Sequence, residues 1–142
     1  APHLALLVTN YFGYYEASMA EHVRTGAIDG VIFPYFLPQK NHSDTTLLMS
    51  QIGAFRKWLD GQTGQGGFSK TMPLVVMIYA TKHSQSSDLP TPAFIQRCLE
   101  IGLEATGQGL ADGVCAYCLP KDRPEFTDAV AAVYKLWRAK SK

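Results

Sequence analysis

Gly26-Ala27-Ile28-Asp29-Gly30-Val31-Ile32-Phe33-Pro34-Tyr35-Phe36-Leu37-Pro38 holds a helix stop, a strand start, an apolar strand and a turn in one short stretch. Glycine suits the left-handed residue that ends a helix, and proline closes a strand because it has no N–H to give. The same order returns as Gly109-Leu110-Ala111-Asp112-Gly113-Val114-Cys115-Ala116-Tyr117-Cys118-Leu119-Pro120, with one residue fewer before the tyrosine. Both read helix end, Asp-Gly-Val, strand, Tyr-x-Leu-Pro. Asp29 and Asp112 lie 83 residues apart, which leaves room for two strand–helix units, so the second and fourth strands are built alike. Each Asp-Gly pair falls at the N-terminal end of its strand, the end where parallel α/β proteins keep stability features.

Working outward from the first copy, Leu4-Ala5-Leu6-Leu7-Val8-Thr9 is a continuous apolar run of strand length, as expected when both faces are covered. A helix over 16–25 follows, with Gly26 as its stop. The second strand is Gly30-Val31-Ile32-Phe33, ended by Pro34. Ser43 and Asp44 offer N-caps to a helix in which Leu48, Ile52, Phe55 and Leu59 recur at helical spacing up to about Gly61. Pro73-Leu74-Val75-Val76-Met77-Ile78-Tyr79 is the third strand. Thr91-Pro92 then caps and opens a helix to Thr106. The fourth strand spans 113–118. The last helix is read with Asp122 as cap and Pro124 at its second position, burying Phe126, Val130, Val133 and Trp137.

Four consecutive strand–helix units imply α/β architecture, a parallel sheet with right-handed crossovers. Two closures fit. Four βα units make half of an eight-stranded (β/α)8 or TIM barrel, since a full barrel takes about 250 residues and a half roughly 125. They also make an open, flavodoxin-like doubly wound sheet that is complete in itself. The chain, 142 residues long, reads as a single domain over 1–142. Ala1-Pro2 leads almost directly into a strand, which favours a fragment or a processed half.

Composition excludes several classes. Thirteen basic against 12 acidic residues leave a net charge of +1 without long like-charge blocks, so no footprint for nucleic acid or an anionic membrane is expected. The basic end from Lys135 to Lys142 complements a helix C-terminus. No apolar run nears the roughly 20 residues of a membrane span and no signal peptide opens the chain, which reads as cytosolic or already processed. Asn41-His42-Ser43 is a glycosylation sequon that matters on a eukaryotic secretory route, so a secreted location stays open beside a cytoplasmic one.

Cys98, Cys115 and Cys118 are too few and too odd for a disulfide framework. Cys115-Ala116-Tyr117-Cys118 lies inside a strand rather than at a helix N-terminus, so we expect buried structural thiols and no redox site. The segment 61–67 is glycine-rich, but it follows a helix and precedes a strand, the reverse of the order a phosphate cradle needs. His3, His22, His42 and His83 lack metal-ligand spacing; no metal and no cofactor are expected.

Tyrosine stands at every strand's C-terminal end: Tyr11, Tyr35, Tyr79 and Tyr117. In a parallel sheet those ends form the ligand rim. Asp-Gly-Val-x-x-Pro-Tyr, then Val76-Met77-Ile78-Tyr79-Ala80, then Ala111 to Cys118 resembles the C-terminal half of a glycoside-hydrolase-type barrel, in architecture over about 4–137. That resemblance implies aromatic residues at strand ends that stack on sugar rings.

Independently of it, a pyranose carries an apolar C–H face that packs on a ring, and a phenol adds a hydrogen bond at the sugar's edge. The candidate binding residues are Asn10, Tyr11, Tyr35, Tyr79, Lys82, His83 and Tyr117. Catalytic residues stay unassigned. Glycoside hydrolysis uses two acids, and Glu16, Asp44, Asp88 and Asp122 all read as helix caps or solvated loop residues, which sends the acids outside this chain. Partners expected are a carbohydrate or other small polar ligand, with a second half-barrel chain or a homodimer also open. Non-catalytic small-ligand binding and a structural half-barrel that pairs with another chain are the alternatives. The bulky loop 9–15 disfavours flavin or nucleotide, and no strand ends in a phosphoacceptor aspartate.

Overall fold

The computed structural model describes residues 5–13, 17–35, 45–63, 72–82 and 89–140. Strands and helices alternate: β1 (Leu7–Thr9), α1 (Ala17–Thr25), β2 (Gly30–Tyr35), α2 (Leu48–Thr63), β3 (Leu74–Tyr79), α3 (Pro92–Gly107), β4 (Gly113–Tyr117) and α4 (Pro124–Lys140). The four strands form one parallel sheet in the order β1-β2-β3-β4. Successive helices pack side by side, α1 on α2, α2 on α3 and α3 on α4.

Strand parity divides the sheet into two faces. Val31, Phe33 and Tyr35 of β2 and Leu74, Val76 and Ile78 of β3 belong to one buried core with Met19 and Val23 of α1, Leu48, Ile52, Phe55 and Leu59 of α2, Phe94, Ile95 and Leu99 of α3 and Phe126 and Val133 of α4. Phe33 stacks on Phe55 with ring centroids 5.5 Å apart. The alternate residues, Leu7, Ile32, Pro34, Val75, Met77 and Cys115, are held out of that core on the other face. None is charged.

Helix ends follow their local chemistry. Thr91 caps α3 by accepting from the Phe94 N–H at 3.2 Å, with Pro92 first in the helix. α1 and α3 end alike. Gly26 (φ 66°) donates to Val23 O and Ala27 to His22 O; Gly109 (φ 73°) donates to Thr106 O and Leu110 to Ala105 O. Each pair of bonds closes a Schellman turn around a left-handed glycine.

Some boundaries moved. β2 continues through Pro34 instead of stopping there. Ile32 turns its carbonyl to Asn10 and Val31 its N–H to Pro73, so Pro34 falls on the β1 side, where β1 has already ended at Thr9. β1 is shorter than its apolar run, and α4 starts at Pro124, so proline takes the first helical position rather than the second. Ser43 and Asp44 lie outside the described residues.

The repeat in the sequence is a repeat in space. Leu6 donates its N–H to the Asp29 carboxylate at 2.8 Å and accepts the Asp29 N–H at 2.8 Å; Leu74 and Asp112 make the same pair at 2.7 and 2.8 Å. Each aspartate clasps the start of the strand beside it. Asp112 also takes Arg56 Nη2 at 3.0 Å, and this buried arginine reaches Met72 O at 2.8 Å, Leu110 O at 3.3 Å and Asp60 at 3.3 Å.

Candidate functional site

Residues of one parity at the strand C-terminal ends meet above the open face. The Tyr11 and Tyr79 hydroxyls are 3.1 Å apart, and the Tyr79 ring meets Tyr117 edge-on at 5.2 Å between centroids, with planes at 71°. β3 and β4 place the second pair by register, since Tyr79 lies opposite Tyr117. Such edge-to-face pairs suit ring quadrupoles and hold the rings in place.

Burial is the first cause that lifts the Tyr79 phenol well above its ordinary value, with the Tyr11 hydrogen bond second. Tyr117 is lifted as well, first by a hydrogen bond with Cys118. Both stay neutral donors across the physiological range. Tyr117 is 46% exposed, which leaves its ring open to solvent. Cys118 just beyond it has φ 55°, a left-handed conformation that residues other than glycine, asparagine and aspartate seldom adopt and that collects at functional sites.

Asn10 follows β1 directly. Its residue is 8% exposed and its Nδ2 has no hydrogen-bond partner. A buried amide donor left unmade costs roughly 1–3 kcal/mol; by strand parity Asn10 goes with Val8 and Val31 on the core side rather than with Tyr11.

Of the other candidates, Tyr35 is 1% exposed and stacks on Phe94 at 6.4 Å on the helix side. Its odd parity with Val31 and Phe33 takes it away from the other three tyrosines. Lys82 is exposed just past β3. His83, Glu16, Asp44 and Asp88 lie outside the described residues. Asp122 sits exposed in the turn before α4.

Cys98 is buried, and burial pushes its thiol up to about 12. Cys115 is half-buried, and Cys118 departs from the expected burial because β4 ends at Tyr117 and puts it outside the strand. Among the described residues no three His, Cys, Asp or Glu side chains gather as a metal site, and no helix is long and apolar enough to cross a membrane. A groove of about 420 Å³ lined by Leu103, Val133, Leu136 and Trp137 lies between α3 and α4, away from the tyrosines.

Residue types alone did not reveal the unpaired Asn10 amide, the left-handed Cys118 or the Arg56 network. Only the Tyr35 placement had a signal in the sequence, the alternation Val31-Phe33-Tyr35. Compared with known proteins, the chain matches no family, no curated protein and no solved structure.

Proposed function

We propose that this domain is the carbohydrate-binding half of a glycoside-hydrolase-type (β/α)8 barrel, with Tyr11, Tyr79 and Tyr117 as stacking subsite residues. The observation that carries the reading is the tyrosine cluster on one rim of an uncharged sheet face. Neutral rings and neutral donors match a neutral ligand with apolar faces and hydroxyl edges. Lys82, exposed just past the end of β3, fits the polar margin of the same site. The paired acids of hydrolysis belong outside this chain.

Barrel rather than doubly wound closure is favoured by the strand order. A doubly wound sheet binds its ligand where the order reverses, and β1-β2-β3-β4 has no reversal. The ladder register adds a second argument. Val8 pairs with Val31 and Val31 with Leu74, whereas the repeat makes Val76 the counterpart of Val8. Each pair of strands therefore slips two residues. Four such pairs slip by about eight, the shear of an eight-stranded (β/α)8 barrel.

Titration calorimetry with neutral oligosaccharides tests the binding role. Tyr79→Ala and Tyr117→Ala should each weaken binding at least roughly fivefold, about 1 kcal/mol for a lost sugar–ring contact. Unchanged affinity in both, with the fold retained, would sink the assignment.

A further inference from the structure

We propose that a second copy of this chain pairs with both sheet edges, and that the two close an eight-stranded barrel through identical β4-to-β1 junctions. The inference rests on the half-barrel reading above and adds the occupant, its register and the consequence for the site.

Two edges call for cover. Leu7 on β1 is 45% exposed and Tyr117 on β4 is 46% exposed, while Met77 at the centre of the same face is 9% exposed. Leu6, of the other parity, is 54% exposed, so the uncovered surface is the strand edge rather than the middle of the face. A Cβ on Gly30 would come within 2.7 Å of Leu7 and 3.2 Å of the Pro73 carbonyl, but one on Gly113, its counterpart in the repeat, would meet nothing within 4 Å. β2 has a strand on each side and β4 has one.

The repeat identifies what fits there. β4 is built like β2 through Asp-Gly-Val and the clasp it makes, and β1 is built like β3 because Leu6 and Leu74 enter that clasp in the same way. The β2–β3 junction inside the chain is therefore a template for β4 against a second β1. Val31 opposite Leu74 and Ile32 opposite Val75 become Val114 opposite Leu6 of the partner subunit and Cys115 opposite Leu7 of the partner subunit.

Val31 points its N–H at β3, to Pro73 O, so Val114 points at the open edge. The Tyr134 hydroxyl already donates to Val114 O there at 2.7 Å. A carbonyl oxygen accepts two hydrogen bonds, so that bond and a ladder bond share the atom.

A two-fold axis along the barrel makes both junctions equivalent and leaves no strand edge unpaired. All strand C-termini then lie on one rim, where the tyrosine cluster appears twice around one sugar site.

Native mass spectrometry of the wild-type chain should give a dimer of two 15.6 kDa subunits. In a C118S background, L7C oxidised with diamide should form a covalent dimer through Cys115, because the two side chains are opposite and on one face. L6C, whose side chain has the other parity, should not, and adding C115S to L7C should abolish the cross-link. A wild-type monomer, or equal cross-linking of L6C and L7C, overturns the proposal. A monomer that still binds sugar through Tyr79 removes the dimer alone; one that binds none removes the half-barrel sugar site with it.

Discussion

The two rims of the sheet are held by different chemistry. At the strand N-terminal ends, carboxylates and a buried guanidinium satisfy backbone groups: Asp29 holds Leu6, Asp112 holds Leu74, and Arg56 joins Asp112 to the Met72 and Leu110 carbonyls. At the C-terminal ends, neutral phenols lean on one another and Asn10 keeps an unpaired donor. Charge that is already paired stabilises the fold and offers a ligand nothing. The buried Asn10 donor, unpaired, costs some stability instead. On the proposed reading, fold and site lie at opposite ends of the same strands, which lets one vary without undoing the other.

The sharpest way to break this division is at Arg56. Arg56→Ala removes a buried cation and leaves the Met72 and Leu110 carbonyls short of a donor, so it should cost about 3 kcal/mol, discounted because Asp60 and Asp112 are half-exposed. For a chain of this length that is a fall of roughly 10 °C in Tm, read by thermal unfolding. Sugar affinity of the remaining folded protein should not change.

A finer comparison sets the two clasps against each other. Asp112→Ala strands the Leu74 N–H and one arm of Arg56, at about 2 kcal/mol, whereas Asp29→Ala strands only the Leu6 N–H, at about 1 kcal/mol or less. Equal losses in denaturant titrations would mean that Arg56 adds nothing to the second clasp.

How much of this was legible in the sequence follows from what is local. Apolar runs and Gly, Asp and Pro punctuation are local, so four βα units, the Thr91 cap, the stops at Gly26 and Gly109 and the core positions Leu48, Ile52, Phe55 and Leu59 could be read directly. Pro34 misled because its effect depends on where the neighbouring strand ends, a tertiary matter. Tyr35 was grouped with the rim by its place at a strand end, though counting alternation from Val31 turns it inward against Phe94. The clasps and the longest arms of the Arg56 network join groups 23 to 56 residues apart, and the unpaired Asn10 amide is a missing contact; single-residue chemistry does not announce either.

The smallest expected effect separates the rims by pH. Burial and the Tyr11 hydrogen bond raise the folded-state pKa of Tyr79 above its ordinary 10.0. A group with a raised folded pKa contributes stability that is whole below its unfolded value and declines as pH climbs toward the folded one. Tyr134 and Cys98, both raised chiefly by burial, add to the same alkaline decline, which for Cys98 runs between 9.0 and about 12. Tyr79→Phe deletes one contributor and one exposed-side hydrogen bond, so it should cost under about 1 kcal/mol at neutral pH and lose stability less steeply above pH 10. Arg56→Ala removes no group of this kind, so its stability should fall with alkaline pH along the wild-type slope. Parallel slopes for Tyr79→Phe and wild type would show that the upper rim does not hold its phenol neutral, and the contrast between a charged lower rim and a neutral upper one would fail at its weaker end.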